Sequence, residues 1–283
     1  MDIVVNSEID LLPENGVLIA DEGHFFYHLM HCVQDVNDGL SVASLLSHYH
    51  ELPGTWVIVS PIYWQATHND AMMIASGHSL PLSDEESRLW FEAFQAHLKL
   101  VNMDLYYHDA HTWLLHRDDM PPISARPTHL LKHQSLMSEL KQLDDSLFWI
   151  RFITESQMFF SSHPLNNART NVYPINGIWV WGSGACAPPN QKPMIYFEDD
   201  LYPYLKQLST NTHLYSWQAL NDLNRFSDIE HSVLVLQDLT KTQRLELEER
   251  VKKYVTRWYW NNKVYTLPKR RAWQTWIRRS LKK

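Results

Sequence analysis

Apolar positions in this chain fall into short blocks separated by polar or proline-rich breaks, and the period inside each block predicts its element. Gly16-Val-Leu-Ile-Ala20 contains a strand-sized run, Val17–Ala20, and helical segments, including Ser41–His50, are expected between it and Pro53. Two strands, Thr55–Ser60 and Ala71–Ala75, bracket an irregular stretch from Pro61 to Asp70. Ser83-Asp84-Glu85-Glu86 has the pattern of a capping box, and Leu89, Trp90, Ala93, Phe94, His97 and Leu98 follow at helical spacing. Leu105–His108 and Thr112–His116 predict a hairpin. Beyond Pro121, Pro122 and Pro127, helices are expected near Leu130–Leu143 and Leu147–Phe160, then strands at Gly177–Trp181 and Met194–Phe197. A strand at Ser232–Leu236, a long helix near Thr240–Trp260, a strand at Lys263–Leu267 and a basic helix at Lys269–Arg279 complete the pattern. Interleaving of this kind predicts an α/β or α+β fold, with a mixed sheet flanked by helices.

Composition narrows the class. At 283 residues, 45% hydrophobic and 20% charged, the chain can build a sizeable core and is neither a disordered polyampholyte nor a membrane bundle. Its apolar runs fall far short of the roughly 20 residues that span a bilayer. The acidic start, Met1–Glu8, has no basic stretch leading into an apolar one, so no membrane role is expected and a cytoplasmic location is. Cys32 and Cys186 form no C-x-x-C motif. Only 8 glycines are present, and no Gly-rich phosphate loop occurs among them. Charge is divided unevenly: residues 1–240 carry 11 Lys/Arg against 29 Asp/Glu, whereas residues 241–283 carry 14 against 3. That basic end steers an acidic partner, a nucleic acid or the acidic body of the protein itself.

The 16 histidines are the first candidates for chemistry. His24, His28 and His31 share a helical face beside Cys32, a spacing that can bind zinc, but no H-E-x-x-H motif accompanies them. His108, Asp109, His111 and His116 surround the hairpin, and His129 and His133 form another i, i+4 pair. None of these sets is complete, and no metal is predicted. Ser183 and Cys186 follow a strand end without an identifiable base, and no G-x-S-x-G elbow exists.

The richest segment runs from Glu155 to Gly184. An apolar helix should stop at His163-Pro164, since proline disfavours helical geometry in the residue before it. Asn166, Asn167, Arg169, Asn171 and Asn176 follow, and then a strand whose alternation puts Trp179 and Trp181 on one face. Gly182 and Gly184 permit a tight turn. Arginine and asparagines beside aromatic surface suit an anion or a sugar; equally, the amides can cap the helix end and the strand edge. His163, Asn166, Arg169 and Asn176 are expected to converge near the Gly182–Gly184 turn.

The pattern H-P-x-N-x-x-R, then P-x-N-x-x-W-x-W-G-x-G, falls on His163, Pro164, Asn166, Arg169, Pro174, Asn176, Trp179, Trp181, Gly182 and Gly184. It resembles the RpfE-type bacterial proteins, often described as regulatory. Trp56-Val-Ile-Val-Ser-Pro61 through Asp70, the helix from Leu82 and Arg270-Arg-Ala-Trp-Gln-Thr-Trp276 look like the same family. The likeness covers most of residues 55–281. Residues 1–54 match poorly, which divides the chain into 1–54 and an RpfE-like region, 55–283, expected to pack together as one globular unit.

The same block is similar to a segment of the archaeal-type cofactor-independent phosphoglycerate mutases. That resemblance implies an alkaline-phosphatase-like scaffold with two divalent metals, a Ser or Thr nucleophile, and Asp and His ligands. The chain departs from the pattern at Asp21-Glu22-Gly23, where no nucleophile motif stands, and at Gln237-Asp238-Leu239-Thr240, which lacks the histidine-bearing Asp motifs. The resemblance therefore implies a regulatory or binding protein on a degenerate scaffold, without cofactor or metal-dependent catalysis. Its candidate ligand-binding residues are His163, Asn166, Arg169, Asn176, Trp179, Trp181, Gly182 and Gly184, and its partner is a protein or a small anionic ligand. A mutase-like phosphoryl-transfer enzyme is the alternative. A nucleic-acid-associated protein using Tyr254, Trp258, Tyr259, Trp260, Tyr265, Trp273 and Trp276 amid the cations of 241–283 is the second.

Overall fold

Strands from the two ends of the sequence meet in one sheet. The computed structural model describes residues 1–33, 41–66, 68, 70–184, 194–196, 201–214 and 229–269. With strands numbered along the chain, this sheet contains β1 (Asp2–Val5), β2 (Val17–Ala20), β8 (Met194–Tyr196), β9 (Thr212–Leu214), β10 (Val233–Leu236), β11 (Thr256–Tyr259) and β12 (Val264–Leu267). Their order is β2-β12-β11-β1-β10-β8-β9. β1 pairs in parallel with β10 and with β11, and β10-β8-β9 continue in parallel, whereas β12 and β2 add antiparallel strands at one side. Ile3, Val4, Val5 and Val233–Leu236 are all buried, the unbroken apolar run expected of parallel strands covered on both faces. On one face Ile3, Val5, Leu234, Leu236, Trp258, Trp260 and Tyr265 pack with Leu247 and Val251 of α7 (Lys241–Val251). On the other, His28 of α1 (Phe25–Val33) lies against the Tyr259 ring at 5.0 Å.

A second sheet is antiparallel throughout. It comprises β3 (Val57–Ala66), β4 (Ala71–Ser76), β5 (Asp104–Asp109), β6 (Thr112–His116) and β7 (Gly177–Trp181), ordered β4-β3-β6-β5 with β7 also on β3. The helices α2 (Val42–Tyr49), α3 (Asp84–Lys99) and α5 (Phe148–Ser162) pack on β3, β5 and β7 respectively. Trp90 and Phe94 of α3 meet Phe160 of α5 at 5.3 and 4.9 Å between ring centroids, all three fully buried. The fold is thus mixed α/β, with two sheets flanked by helices. Residue contacts group Met1–Val36 with Ala187–Lys283 as one compact unit and Asn37–Cys186 as the other. Among the described residues, no helix is long and apolar enough to cross a membrane.

The structure departs from the sequence reading in four places. β1, β9 and β11 are strands where none was expected, and β1, not Val17–Ala20, is the first strand of the chain. β3 continues through the stretch read as irregular. Pro61 fits because Val57–Val59 pair with β6 and Ile62–Ala66 with β4, so its missing N–H falls at the handover between them. The helix expected over Leu130–Leu143 shrinks to a 3-10 turn at Thr128–Leu130 and one turn, α4 (Met137–Leu140). In between, the chain lies along β4: His133 and Leu136 donate their amides to Met73 O (2.8 Å) and Ala71 O (2.7 Å), and His133 takes φ +58°. The helix expected over Thr240–Trp260 ends at Val251, because Trp258 is drawn into the core beside β1. The basic helix at Lys269–Arg279, with Trp273 and Trp276, lies outside the described residues, as does Cys186.

Helix ends follow local chemistry. Ser83 caps α3 by accepting from Glu86 N, but the Glu86 carboxylate that would complete a capping box turns instead to Arg169. At the start of α5, Asp144 accepts from the amides of Ser146, Phe148 and Trp149. Burial pushes the Asp144 carboxyl up, but these hydrogen bonds outweigh it and its pKa is lowered. Losing such a cap typically costs about 1 kcal/mol. Asp144→Ala should therefore lower the melting temperature at pH 7. The difference from wild type should narrow in acid, below the carboxylate's unfolded pKa of about 3.9.

Candidate functional site

Of the residues singled out between 163 and 184, Asn167 and Asn171 are exposed, whereas the polar atoms of His163, Asn166, Arg169 and Asn176 meet groups of the fold itself. His163 follows the last turn of α5. Its Nδ1 accepts from Leu165 N at 3.3 Å, and its ring packs on Trp90 and Phe159 at 5.0 and 5.1 Å. Asn166 donates to Phe160 O and Ile175 O and accepts from Ile175 N, each at 2.9 Å, so it caps the helix end and ties it to the approach of β7. Asn176 brackets one residue of β3, accepting from Trp64 N (3.0 Å) and donating to Trp64 O (2.7 Å). Arg169 is 8% exposed and donates three ways: to Tyr173 O (2.8 Å), to Pro81 O (2.7 Å) and to the Glu86 carboxylate.

The aromatic and glycine positions are equally structural. Trp179 and Trp181 are buried, with their indole N–H groups on Arg126 O (2.8 Å) and Ser60 Oγ (3.1 Å). Gly182, at φ +75°, accepts from Ala43 N at 3.1 Å, and an added Cβ would lie 3.0 Å from Ile58 Cδ1. Gly184 O accepts from Ser41 Oγ, and Ser183 Oγ donates to Ile123 O. The four polar side chains sit about the amino end of β7 and the glycines at its carboxyl end, so the expected convergence on the Gly182–Gly184 turn does not occur. These amides cap a helix end and a strand edge.

A different group gathers at the carboxyl edge of the parallel strands, where an α/β sheet places its ligands. Asn6 leaves β1, Gln237 leaves β10 and Asn261 follows β11. Asn6 donates to Gln237 Oε1 at 2.8 Å and accepts from Asn261 Nδ2 at 3.1 Å, while Asn261 N donates to Ser7 O at 3.0 Å. Next to it, Asn262 exchanges both its bonds with the Ile9 backbone, at 2.9 and 3.1 Å, and Lys263 donates to Ile9 O at 2.8 Å. Ser7 Oγ is buried here and has no hydrogen-bond partner among the described residues. The sequence reading passed over Asn6 and Asn261 because it lacked β1 and β11; an amide directly after an apolar run was the available signal.

The histidines separate into distinct environments. His28 is turned into the core, where burial first and the nearby His24 and His31 second lower its pKa to about 3. His129 and His133 do not share a helix face, since the chain between them is not helical. His50, the C-cap of α2, meets His108 of β5 with Nε2 and Nδ1 2.8 Å apart, and the Tyr106 hydroxyl lies 3.3 Å from His50 Nδ1. Burial, then the proximity of His108, lowers the His50 pKa to about 4, and burial lowers that of His108 against the raising effect of Asp109. His116 bonds Thr55 O at 2.7 Å and lies over Trp56. Among the described residues, no three His, Cys, Asp or Glu side chains are grouped to hold a metal ion.

No family model matches the chain and no curated protein matches it, so the likeness to RpfE-type proteins rests on its motif alone. Among solved structures, a cofactor-independent phosphoglycerate mutase from Thermoplasma acidophilum DSM 1728 is similar over 94% of this chain and 88% of that one, at 12% identity and a TM-score of 0.34. A likeness at that level assigns no residue a role.

Two outcomes follow from the geometry. Arg169→Ala strands the Glu86 carboxylate and two carbonyls, and should destabilise the Asn37–Cys186 unit by about 2–4 kcal/mol, read as a lower urea midpoint. The His50–His108 hydrogen bond needs one unprotonated ring nitrogen as acceptor, and burial disfavours a charge on either ring. Unfolded histidine takes up its proton near pH 6.5, whereas folded His50 resists until about pH 4. Stability contributed by the pair is therefore complete above pH 6.5 and lost as pH falls toward 4. Melting temperatures between pH 7 and 4.5 should fall less steeply in His50→Gln than in wild type.

Proposed function

We propose that this chain is a binding or regulatory protein and not a phosphoryl-transfer enzyme. The observation that carries this reading is the run of amides, Asn6, Gln237 and Asn261, at the carboxyl ends of β1, β10 and β11. A two-metal phosphoryl-transfer centre needs anionic oxygens and imidazoles around a nucleophile, because hard divalent cations are held by charge and by open lone pairs. The side chains here are uncharged, and Asn6 Oδ1 and Gln237 Oε1 already accept from a neighbouring amide. They tie three loops together with groups that hold no charge at any ordinary pH. The motif shared with the RpfE-type proteins supports a regulatory role.

Phosphoryl transfer has one feature in its favour, the buried Ser7 hydroxyl beside Asn6. A nucleic-acid role for residues 241–283 is less well supported, since base stacking needs open aromatic faces and Trp258, Trp260 and Tyr265 are in the core. In addition, Arg244, Arg250 and Lys252 pair with Glu248, Glu246 and Glu249 on α7 itself. Purified protein supplied with manganese or magnesium should not interconvert 2- and 3-phosphoglycerate. Metal-dependent turnover that Ser7→Ala abolishes would overturn this reading.

A further inference from the structure

One cavity in the Asn37–Cys186 unit has no part in the networks above. Where α3 ends and α5 begins, a cleft of about 360 Å³ opens, inside the ~300–1,000 Å³ range of small-molecule sites. Leu98, Met103 and Phe152, all nearly fully buried, form its floor together with Phe148. Apolar surface continues onto the rim, where Val101 is 50% exposed and the adjoining Leu100 and Leu147 are 82% and 50% exposed. Exposed apolar area gathered around a cavity marks a binding surface more often than isolated exposed leucines do.

The polar groups at this cleft select the ligand. Arg117 is held in place: its Nε donates to the Asp119 carboxylate, and its guanidinium lies 4.8 Å over the Phe148 ring. Arg151, in the first turn of α5, lines the same cleft, is exposed, and its guanidinium meets no acceptor among the described residues. A planar guanidinium without a partner suits a carboxylate, which it can bind through two parallel hydrogen bonds. Glu155, one turn beyond Arg151, also lines the cleft and repels a second acidic group. That favours a single negative charge over dicarboxylates and phosphate esters.

We propose that this cleft binds a small apolar monocarboxylate, its hydrocarbon on Leu98, Met103, Phe148 and Phe152 and its carboxylate on Arg151 and Arg117. The assignment supplies a ligand class for the binding role proposed above and rests on that reading, although it involves none of the amides at the sheet edge. The test is calorimetric titration of the full chain with 3-phenylpropionate, beside 3-phenylpropanol and 3-phenylpropylamine as neutral and cationic counterparts. The acid should bind saturably, the alcohol about tenfold more weakly and the amine more weakly still. Arg151→Gln, at an exposed position, should keep the wild-type melting temperature, weaken the acid about tenfold and leave the alcohol unchanged. Met103→Trp should fill the floor and abolish binding of all three; if that variant does not fold, the Arg151→Gln comparison decides. Absence of saturable binding by the acid, equal binding of acid and amine, or indifference to Arg151→Gln would each overturn the proposal. Those results leave the non-catalytic reading standing, whereas phosphoglycerate turnover would remove that reading and leave a measured carboxylate site in place.

Discussion

Parallel pairing of β1 between β10 and β11 is the constraint on which the first unit depends. Residues 2–5 bond to residues 233–236 on one side and 257–259 on the other. Burial of β1 on both faces leaves its backbone groups no water to fall back on, so both neighbours must be present for it to be satisfied. These contacts join residues more than 200 apart in sequence, and closing such loops is entropically slow. The Asn37–Cys186 unit lies wholly between them in sequence and is antiparallel, with hairpin neighbours β3-β4 and β5-β6 that form locally. Cross-links between loops at the carboxyl edge, such as Asn6 with Gln237 and Asn261, then fix the register of strands drawn from opposite ends.

Those cross-links carry the functional argument as well. Carboxylates at the same three positions would repel one another unless a cation stood between them, so charge there creates a demand for metal. Amides create no such demand, because each is both donor and acceptor and can satisfy its neighbour. The exchange leaves these three side chains with no charge to titrate, whereas burial lowers the pKa of His28 in one unit and of His50 and His108 in the other.

Much of this fold was legible in the sequence, and the exceptions share a cause. Val17–Ala20, Thr112–His116 and Gly177–Trp181 were recognised as strands with their observed limits, because an apolar run bounded by polar residues or glycines is a local signal. The helix starting after Ser83 was equally plain from its cap and spacing. β1 is four residues long and acquires strand geometry only from partners more than 200 residues away, which no window detects. β11 was absorbed into a helix because Leu247 and Val251 keep helical spacing, and nothing between Lys252 and Thr256 marks the switch in period. The segment Leu130–Leu143 has a helical pattern too, but the edge of β4 offered its amides better acceptors.

The segment at 163–184 shows why residue type alone did not settle its role. Arginine, asparagine and tryptophan recognise ligands because they carry several donors in fixed geometry, and that property serves a backbone equally well. Direction decides between the two uses. Arg169 sends its Nε, Nη1 and Nη2 to acceptors within its own unit, and Asn166 and Asn176 each close a ring on a single residue of backbone. Their removal would open the junction of α3, α5 and β7 rather than empty a pocket. Arg151 has the same chemistry and the opposite disposition: it is exposed, unpaired among the described residues and set on apolar surface. No motif surrounds it, so nothing in the pattern of the sequence distinguished it from an ordinary solvated cation. A ligand must bring the acceptors that the fold has not already provided, and in this unit Arg151 is the guanidinium still in want of one.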